Sequence, residues 1–437
     1  MRVRTVSSSP GRMHRPGIRE NGARFALLLL LVVFIGAMVG VERSMLPLLA
    51  AADFGLTSTT VIFGFVIAFG LAKAPSNYLA GDLANLLGRR RVLLLGWLVG
   101  LPVAPLIIWA PSWGWVIFAN LLLGVNQGLT WSTLQIMKID LATTRQRGLA
   151  LGANEFAGYA AVAVAALAAG YLADRYGVRP APYLIATTAA VLGLSVSFFV
   201  VDTTEEDNTR RRIAEIDFRR LVPAGIGRRL VSATVQNRGL VGTYQAGFVN
   251  NLKDGLAWAL LPLYFSSRGL GVKEIGWLAA IYPAVWGFGQ LWTGALSDHW
   301  GRRTLIFVGM LTQSIALTGF VLFDTFAAWI GAAVLLGLGT AAIYPVLIAQ
   351  AADLVSDRER PTTIGAYRFW RDLGYVAGGI LTGVVADWIG FQAAILLVGS
   401  LIGLSGLLAW ALLSPSQRLL KPMRARGTDR MIGDVSD

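Results

Sequence analysis

The chain has 437 residues and no cysteine, which excludes disulfides and thiol chemistry. It has only two histidines. His14 lies in the leading tail and His299 in a short polar knot, so no histidine-ligated metal site can form inside the apolar runs. Charge is scarce as well. Asp, Glu, Lys and Arg make up 14% of the chain, against about 25% in a soluble protein. The nucleotide-binding loop Gly-x-x-x-x-Gly-Lys-(Ser/Thr) is absent. The net charge of +13 would suit a nucleic-acid partner, but the cations gather in alternate loops and both tails. That distribution orients a protein in a lipid bilayer and argues against nucleic acid.

What is present is apolar. The chain is 55% hydrophobic, and runs near the roughly 20 residues that cross a bilayer recur throughout. They are continuously apolar without period-two alternation, so the spacing predicts helices and not a barrel. Twelve spans are predicted, at 24–50, 58–82, 91–110, 113–138, 148–172, 180–201, 239–265, 273–294, 303–323, 326–351, 362–385 and 391–413. With both termini inside, Arg89, Arg90, Arg91, Lys138, Arg145, Arg147, Arg302, Arg303, Arg358 and Arg360 fall on the inner side. The outer side holds Arg175, Arg179, Arg268 and Lys273. Both termini are therefore expected in the cytoplasm. The Arg-rich start followed by an apolar run and Ala50-Ala51-Ala52 has the look of a signal peptide. The run exceeds the roughly 7–15 apolar residues of a cleaved signal and contains Glu42 and Arg43, so it is read as a retained first span.

The chain repeats itself. Gly81-Asp82-Leu83-Ala84-Asn85-Leu86-Leu87-Gly88-Arg89-Arg90 returns as Gly294-Ala295-Leu296-Ser297-Asp298-His299-Trp300-Gly301-Arg302-Arg303, a shift of 294 − 81 = 213 residues. The same shift carries Asp140 to Asp353, Arg147 to Arg360, Gly170 to Gly383, Asp174 to Asp387 and Gly177 to Gly390. So long an ungapped register marks two copies of one unit. The units are a cytoplasmic basic tail 1–23, a six-helix bundle 24–201, a cytoplasmic linker 202–238, a second six-helix bundle 239–413 and a tail 414–437. In each knot, the first glycine is expected to let a neighbouring helix approach closely. Gly88 and Gly301 are expected to supply the tight reversal, because glycine tolerates positive φ.

Two six-helix halves with Gly-x-x-x-(Asp/Asn)-x-x-Gly-Arg-Arg between helices 2 and 3 of each half resemble the major facilitator superfamily over nearly the whole chain. The resemblance implies an all-α membrane protein, with twelve transmembrane helices in two pseudo-symmetric six-helix bundles. It also implies that the knots latch the two halves in the outward-facing state. That role falls on Gly294, Asp298, Gly301 and Arg302, and in the first copy on Gly81, Asn85, Gly88 and Arg89. Asn85 replaces the family's aspartate, so the first latch is expected to be weaker. The loop charges Asp140 with Arg147, and Asp353 with Arg360, are expected to act as a relay with the latch.

Ionisable residues within spans are costly and usually face a partner or a path. Here they are Glu42, Arg43, Lys73, Glu155, Lys253, Asp254, Arg368, Arg371 and Asp372. With Asn126, Gln127, Trp131, Tyr159 and Asn250 they are expected to line a substrate and proton path. Gln127, Trp131 and Gln135 share one helix face at i, i+4, i+8, and Glu155 stands at the repeat position of Arg368. Glu42 and Arg43 are expected to pair with Lys253 and Asp254 across the outer seam. Glu155 and Glu42 are the carboxylates placed to carry a proton. No catalytic residues, cofactor or metal are expected.

The leading expectation is proton-coupled efflux of a small-molecule substrate across the cell inner membrane by a monomer. Helix 5 lacks the family's antiporter Gly-Pro signature, reading Gly152-Ala153-Asn154-Glu155-Phe156-Ala157-Gly158-Tyr159. The alternatives are proton-coupled uptake of a small anionic or zwitterionic solute, or a non-transporting membrane sensor of the same fold.

Overall fold

The computed structural model describes residues 17–143, 146–203, 230–235, 237–356 and 359–414. The side chains of residues 294, 295, 298 and 361 also lie outside this description, as do both tails and most of the linker. The first half contains α1 (Gly22–Ala52), α2 (Thr59–Ile62), α3 (Gly64–Leu87), α4 (Arg89–Gly100), α5 (Val103–Ile108), α6 (Trp113–Leu141), α7 (Arg147–Tyr176) and α8 (Ala181–Ser197). The second contains α9 (Arg238–Ser267), α10 (Val272–Trp300), α11 (Arg302–Leu322), α12 (Phe326–Asp353), α13 (Arg360–Trp388) and α14 (Phe391–Leu412). No strand occurs among the described residues.

Among the described residues seven spans are long and apolar enough to cross a membrane: α1, α2 with α3, α4 with α5, α7, α11, α12 and α14. The other long helices, α6, α9, α10 and α13, carry many of the buried polar residues, including Gln127, Asn251, Gln290 and Arg371. Their polar content lowers their apolar character and marks them as walls of an interior site.

Packing repeats between halves. In the first, α1 packs on α7 and α8, and α6 packs on α3 and α4. In the second, α9 packs on α13 and α14, and α12 packs on α10 and α11. Between halves, α7 meets α10 and α3 meets α13. Small residues permit the closest crossings, as van der Waals contact is the main attraction between helices in lipid. A Cβ on Gly36 or Gly40 of α1 would stand 2.3 Å from a carbonyl oxygen of α7. A Cβ on Gly374 or Gly378 of α13 would stand 2.2 or 2.3 Å from one of α9.

The start of α1 and the ends of α3, α6 and α8 gather at one face with the start of α9 and the ends of α12 and α14. This is the terminal face; the opposite one is the far face. Gly88 and Gly301 break α3 from α4 and α10 from α11 with φ of 87° and 84°. Gly177 and Gly390, one repeat apart, have φ of 85° and 109° at the far face.

Candidate functional site

The halves enclose a central cavity of about 30 Å³, room for a water or two. Its wall includes Arg43 of α1, Lys73 of α3, Gln127, Trp131 and Gln135 of α6, and Tyr159 of α7. The second half supplies Trp258 of α9, Tyr344 of α12, and Arg368, Arg371 and Tyr375 of α13. Among the described lining residues are four cations and a ring of aromatics, and no carboxylate.

The carboxylates stand one side chain behind. Glu155 Oε1 accepts from Trp131 Nε1 at 2.9 Å, Gln135 Nε2 at 2.6 Å and Asn154 Nδ2 at 2.7 Å. Its Oε2 is buried with no hydrogen-bond partner. The Gln135 amide turns its oxygen to Arg368, which also donates to Ser132 Oγ at 3.1 Å. Gln135 thus bridges an acid of the first half to an arginine of the second. Asp372 is a second junction. Its Oδ1 accepts from Arg371 Nε at 2.9 Å and Nη2 at 2.7 Å and from Asn251 Nδ2 at 3.4 Å, and its Oδ2 accepts from Asn77. Arg371 Nη1 reaches Tyr344 Oη at 2.8 Å.

Several predicted path residues lie elsewhere. Glu42 is fully buried beside Asn120, outside the cavity wall. Asn126 donates to Gly96 O of α4 at 2.8 Å, away from the cavity. Asn250 bonds Asn251 and Gln313 within the second half. Lys253 and Asp254 pair with each other at 2.6 Å and both bond Tyr282. Among the described residues no ion pair joins Glu42 or Arg43 to Lys253 or Asp254, and of the expected seam pairing only the distant counter-charge of Asp254 on Arg43 is present. Adjacent helix residues point about 100° apart, and that angle sends Glu42 and Arg43 to different neighbours. The sequence reading missed Phe69, Asn77 and Ser132; Phe69 and Asn77 flank Lys73 at four-residue spacing, the signal that would have found them.

At the terminal face Arg89 pairs with Asp140, and Arg302 Nε pairs with Asp353 at 2.6 Å, at positions one repeat apart. Arg147 and Arg360 are exposed, and Arg360 Nε donates to Ala352 O at 3.3 Å. Asn85 is exposed. Among the described residues a Cβ on Gly81 would meet nothing within 4 Å. The predicted latch residues Gly294 and Asp298 have side-chain positions outside the described residues. At the far face the two halves are in close contact.

There, Gly170 packs on Gly276, and a Cβ on Gly383 would lie 2.8 Å from Thr60 Cα. Asp387 crosses between the halves to cap α2, accepting from Ser58 Oγ at 2.9 Å, Thr59 N at 2.6 Å and Thr60 N at 3.0 Å. A carboxylate at a helix N-terminus is favoured by both the free N–H groups and the helix dipole. Partial burial pushes the Asp387 carboxyl up, but the hydrogen bonds from Thr60, Thr59 and Ser58 outweigh it and hold its pKa at about 2. With a depressed pKa, the clasp is fully present above the ordinary value of 3.8 and lost as pH falls through about 2. Asp387→Asn is expected to loosen the far face at neutral pH. Spin labels on cysteines at Thr57 and Ile389, in a chain with no native cysteine, read it as a longer distance; an unchanged distance defeats the clasp.

A closable cationic cavity between two repeated helix sets defines a membrane transporter of the alternating-access kind. The chain belongs to the Major Facilitator Superfamily, whose sequence profile matches residues 28–241 and 243–430. It is similar to the Multidrug resistance protein MdtG of Citrobacter koseri, 22% identical over 80% of this chain and 83% of the relative. MdtG of Dickeya zeae is 25% identical over 80% and 83%. Among solved structures, a D-xylose-proton symporter matches with TM-score 0.71 at 15% identity, covering 90% of this chain and 97% of the other. A POT family transporter in complex with 5-aminolevulinic acid matches with TM-score 0.69 at 13% identity, covering 89% and 95%. These relatives are transporters, and the chain is a transporter and not an enzyme.

Proposed function

We propose that this chain imports a small organic anion together with protons, by alternating access in the cytoplasmic membrane. The observation that carries the reading is the cavity wall, where Asp372 neutralises Arg371 but no ion pair among the described residues matches Arg43, Lys73 or Arg368. A desolvated surplus of cations attracts an anion and repels a cation. Glu155 sits directly behind Trp131 and Gln135 with one oxygen free to hold a proton. An anion moving with a proton is driven inward by an inward proton gradient. Uptake is preferred to the efflux expectation because the cavity wall is cationic and helix 5 lacks the antiporter Gly-Pro. The relatives named for multidrug resistance share about a fifth to a quarter of their residues with the chain, too little to carry a substrate across.

The proposed architecture is twelve spans in two six-helix bundles, 24–201 and 239–413, with the charged terminal face in the cytoplasm. The Arg89–Asp140 and Arg302–Asp353 pairs are the proposed relay behind the latch glycines. Proteoliposomes with a pH dye inside test the activity. Adding lactate, succinate or glutamate outside under an inward proton gradient is expected to speed acidification for at least one anion. No anion-dependent proton entry, or entry driven by an organic cation instead, overturns the reading.

A further inference from the structure

A second cavity of about 30 Å³ adjoins the first and lies nearer the far face. The two share Arg43, Val162 and Trp258 in their walls. Beyond these the second wall is mainly apolar, with Leu261, Phe265 and Leu336 among its members.

Arg43 is unlike the neighbouring arginines. Arg368 and Arg371 spend their donors on Ser132, Gln135, Tyr344 and Asp372. Arg43 is 4% exposed, and its Nε, Nη1 and Nη2 are buried with no hydrogen-bond partner. Its guanidinium carbon lies 4.2 Å from the Phe69 ring centre, 4.4 Å from that of Trp258 and 5.9 Å from that of Tyr375. Glu42 and Asp254 supply counter-charge from a distance without bonding these donors. Leaving five buried N–H groups unmatched is costly. The three rings form a collar around the guanidinium carbon and give these donors no hydrogen-bond acceptor. A guanidinium can receive a planar carboxylate through two parallel N–H···O bonds. Lys73, 5.1 Å from the Phe69 ring centre, adds a point charge on the same collar.

We infer that the transported anion is a monocarboxylate with an apolar body about two carbons long, its carboxylate on the Arg43 guanidinium and its body in the cavity of Leu261, Phe265 and Leu336. This rests on the anion-import reading and narrows it. The apolar second cavity disfavours a second charge at the body's end, because a buried unpaired charge is expensive.

Thermal unfolding of the full chain in detergent, at pH 7.5, tests it with acetate, propionate, propionamide and succinate. Affinity is expected to rise about fourfold from acetate to propionate, the gain of one methylene. Propionate is expected to stabilise the protein and uncharged propionamide is not. Arg43→Lys keeps the charge but loses the fork, and is expected to weaken propionate about 10- to 100-fold. Ala257→Leu fills the second cavity alone; it is expected to remove the preference for propionate over acetate, a readout that survives if Arg43→Lys fails to fold. Equal binding of propionamide and propionate, an unaffected Arg43→Lys, or no preference for propionate over acetate overturns the inference. If succinate binds and drives proton entry while propionate does neither, this inference falls and the anion reading stands. If no anion acts in either assay, both fall.

Discussion

Glu155→Gln is expected to abolish proton-driven accumulation of the anion while leaving anion exchange intact. Glutamine keeps an acceptor oxygen where Oε1 takes bonds from Trp131, Gln135 and Asn154. Its amide nitrogen replaces Oε2, the oxygen with no hydrogen-bond partner. The substitution therefore holds the site in the shape of the protonated acid, and no proton can leave it. The bridge through Gln135 to Arg368 is kept, so the halves stay joined as in the parent. Uptake under an imposed pH gradient is expected to fall about 100-fold, the scale on which a positioned proton-transfer group acts. Counterflow of labelled against unlabelled anion at equal pH is expected to stay within about twofold of the parent, since the anion's own contacts are untouched. Wild-type pH dependence in the variant would remove Glu155 from the proton path.

The second large effect concerns stability. Asp372 is wholly buried and neutralises Arg371 while accepting from Asn77 of the other half. Asp372→Ala strands a buried guanidinium and two amide donors, and the expected cost is about 3–5 kcal/mol. Removing both charges is different. Arg371→Met with Asp372→Leu replaces the pair by apolar side chains, which in buried sites is often near neutral. The expected order of melting temperature is therefore wild type and double variant together, with Asp372→Ala far below. A double variant as unstable as the single one would show that Asp372 matters for its amide contacts and not for the charge.

The pattern of these contacts explains how much was readable from residues alone. The 213-residue shift predicted equivalent reversals, and Gly88 and Gly301 adopt nearly the same positive φ. It also aligned Arg89 with Arg302 and Asp140 with Asp353, and both ion pairs form. Apolar length and repeat register are local properties, so a sequence displays them. Side-chain direction is not. Asn126 and Gln127 are neighbours, yet one bonds α4 and the other faces the cavity. Lys253 and Arg43 look alike as cations inside spans. Lys253 is matched by Asp254, Tyr282 and Thr340, whereas the Arg43 donors are unmatched. Which neighbour absorbs a charge depends on helix rotation, and the amphipathic signal is weak in spans that are apolar on nearly every side. The Gly-x-x-x-Asp spacing at 383–387 shows in sequence only as the repeat of 170–174, and the fold brings Asp387 to the start of α2.

That clasp has no twin. Its repeat mate Asp174 is exposed. The matching helix start, at α10, carries its own acid, Glu274, in the first turn. One seam of the far face is thus buttoned by a carboxylate on backbone amides, and the other rests glycine on glycine. The expected motion is a swing and not a symmetric parting: the α7–α10 seam behaves as the pivot, and the α2–α13 seam travels.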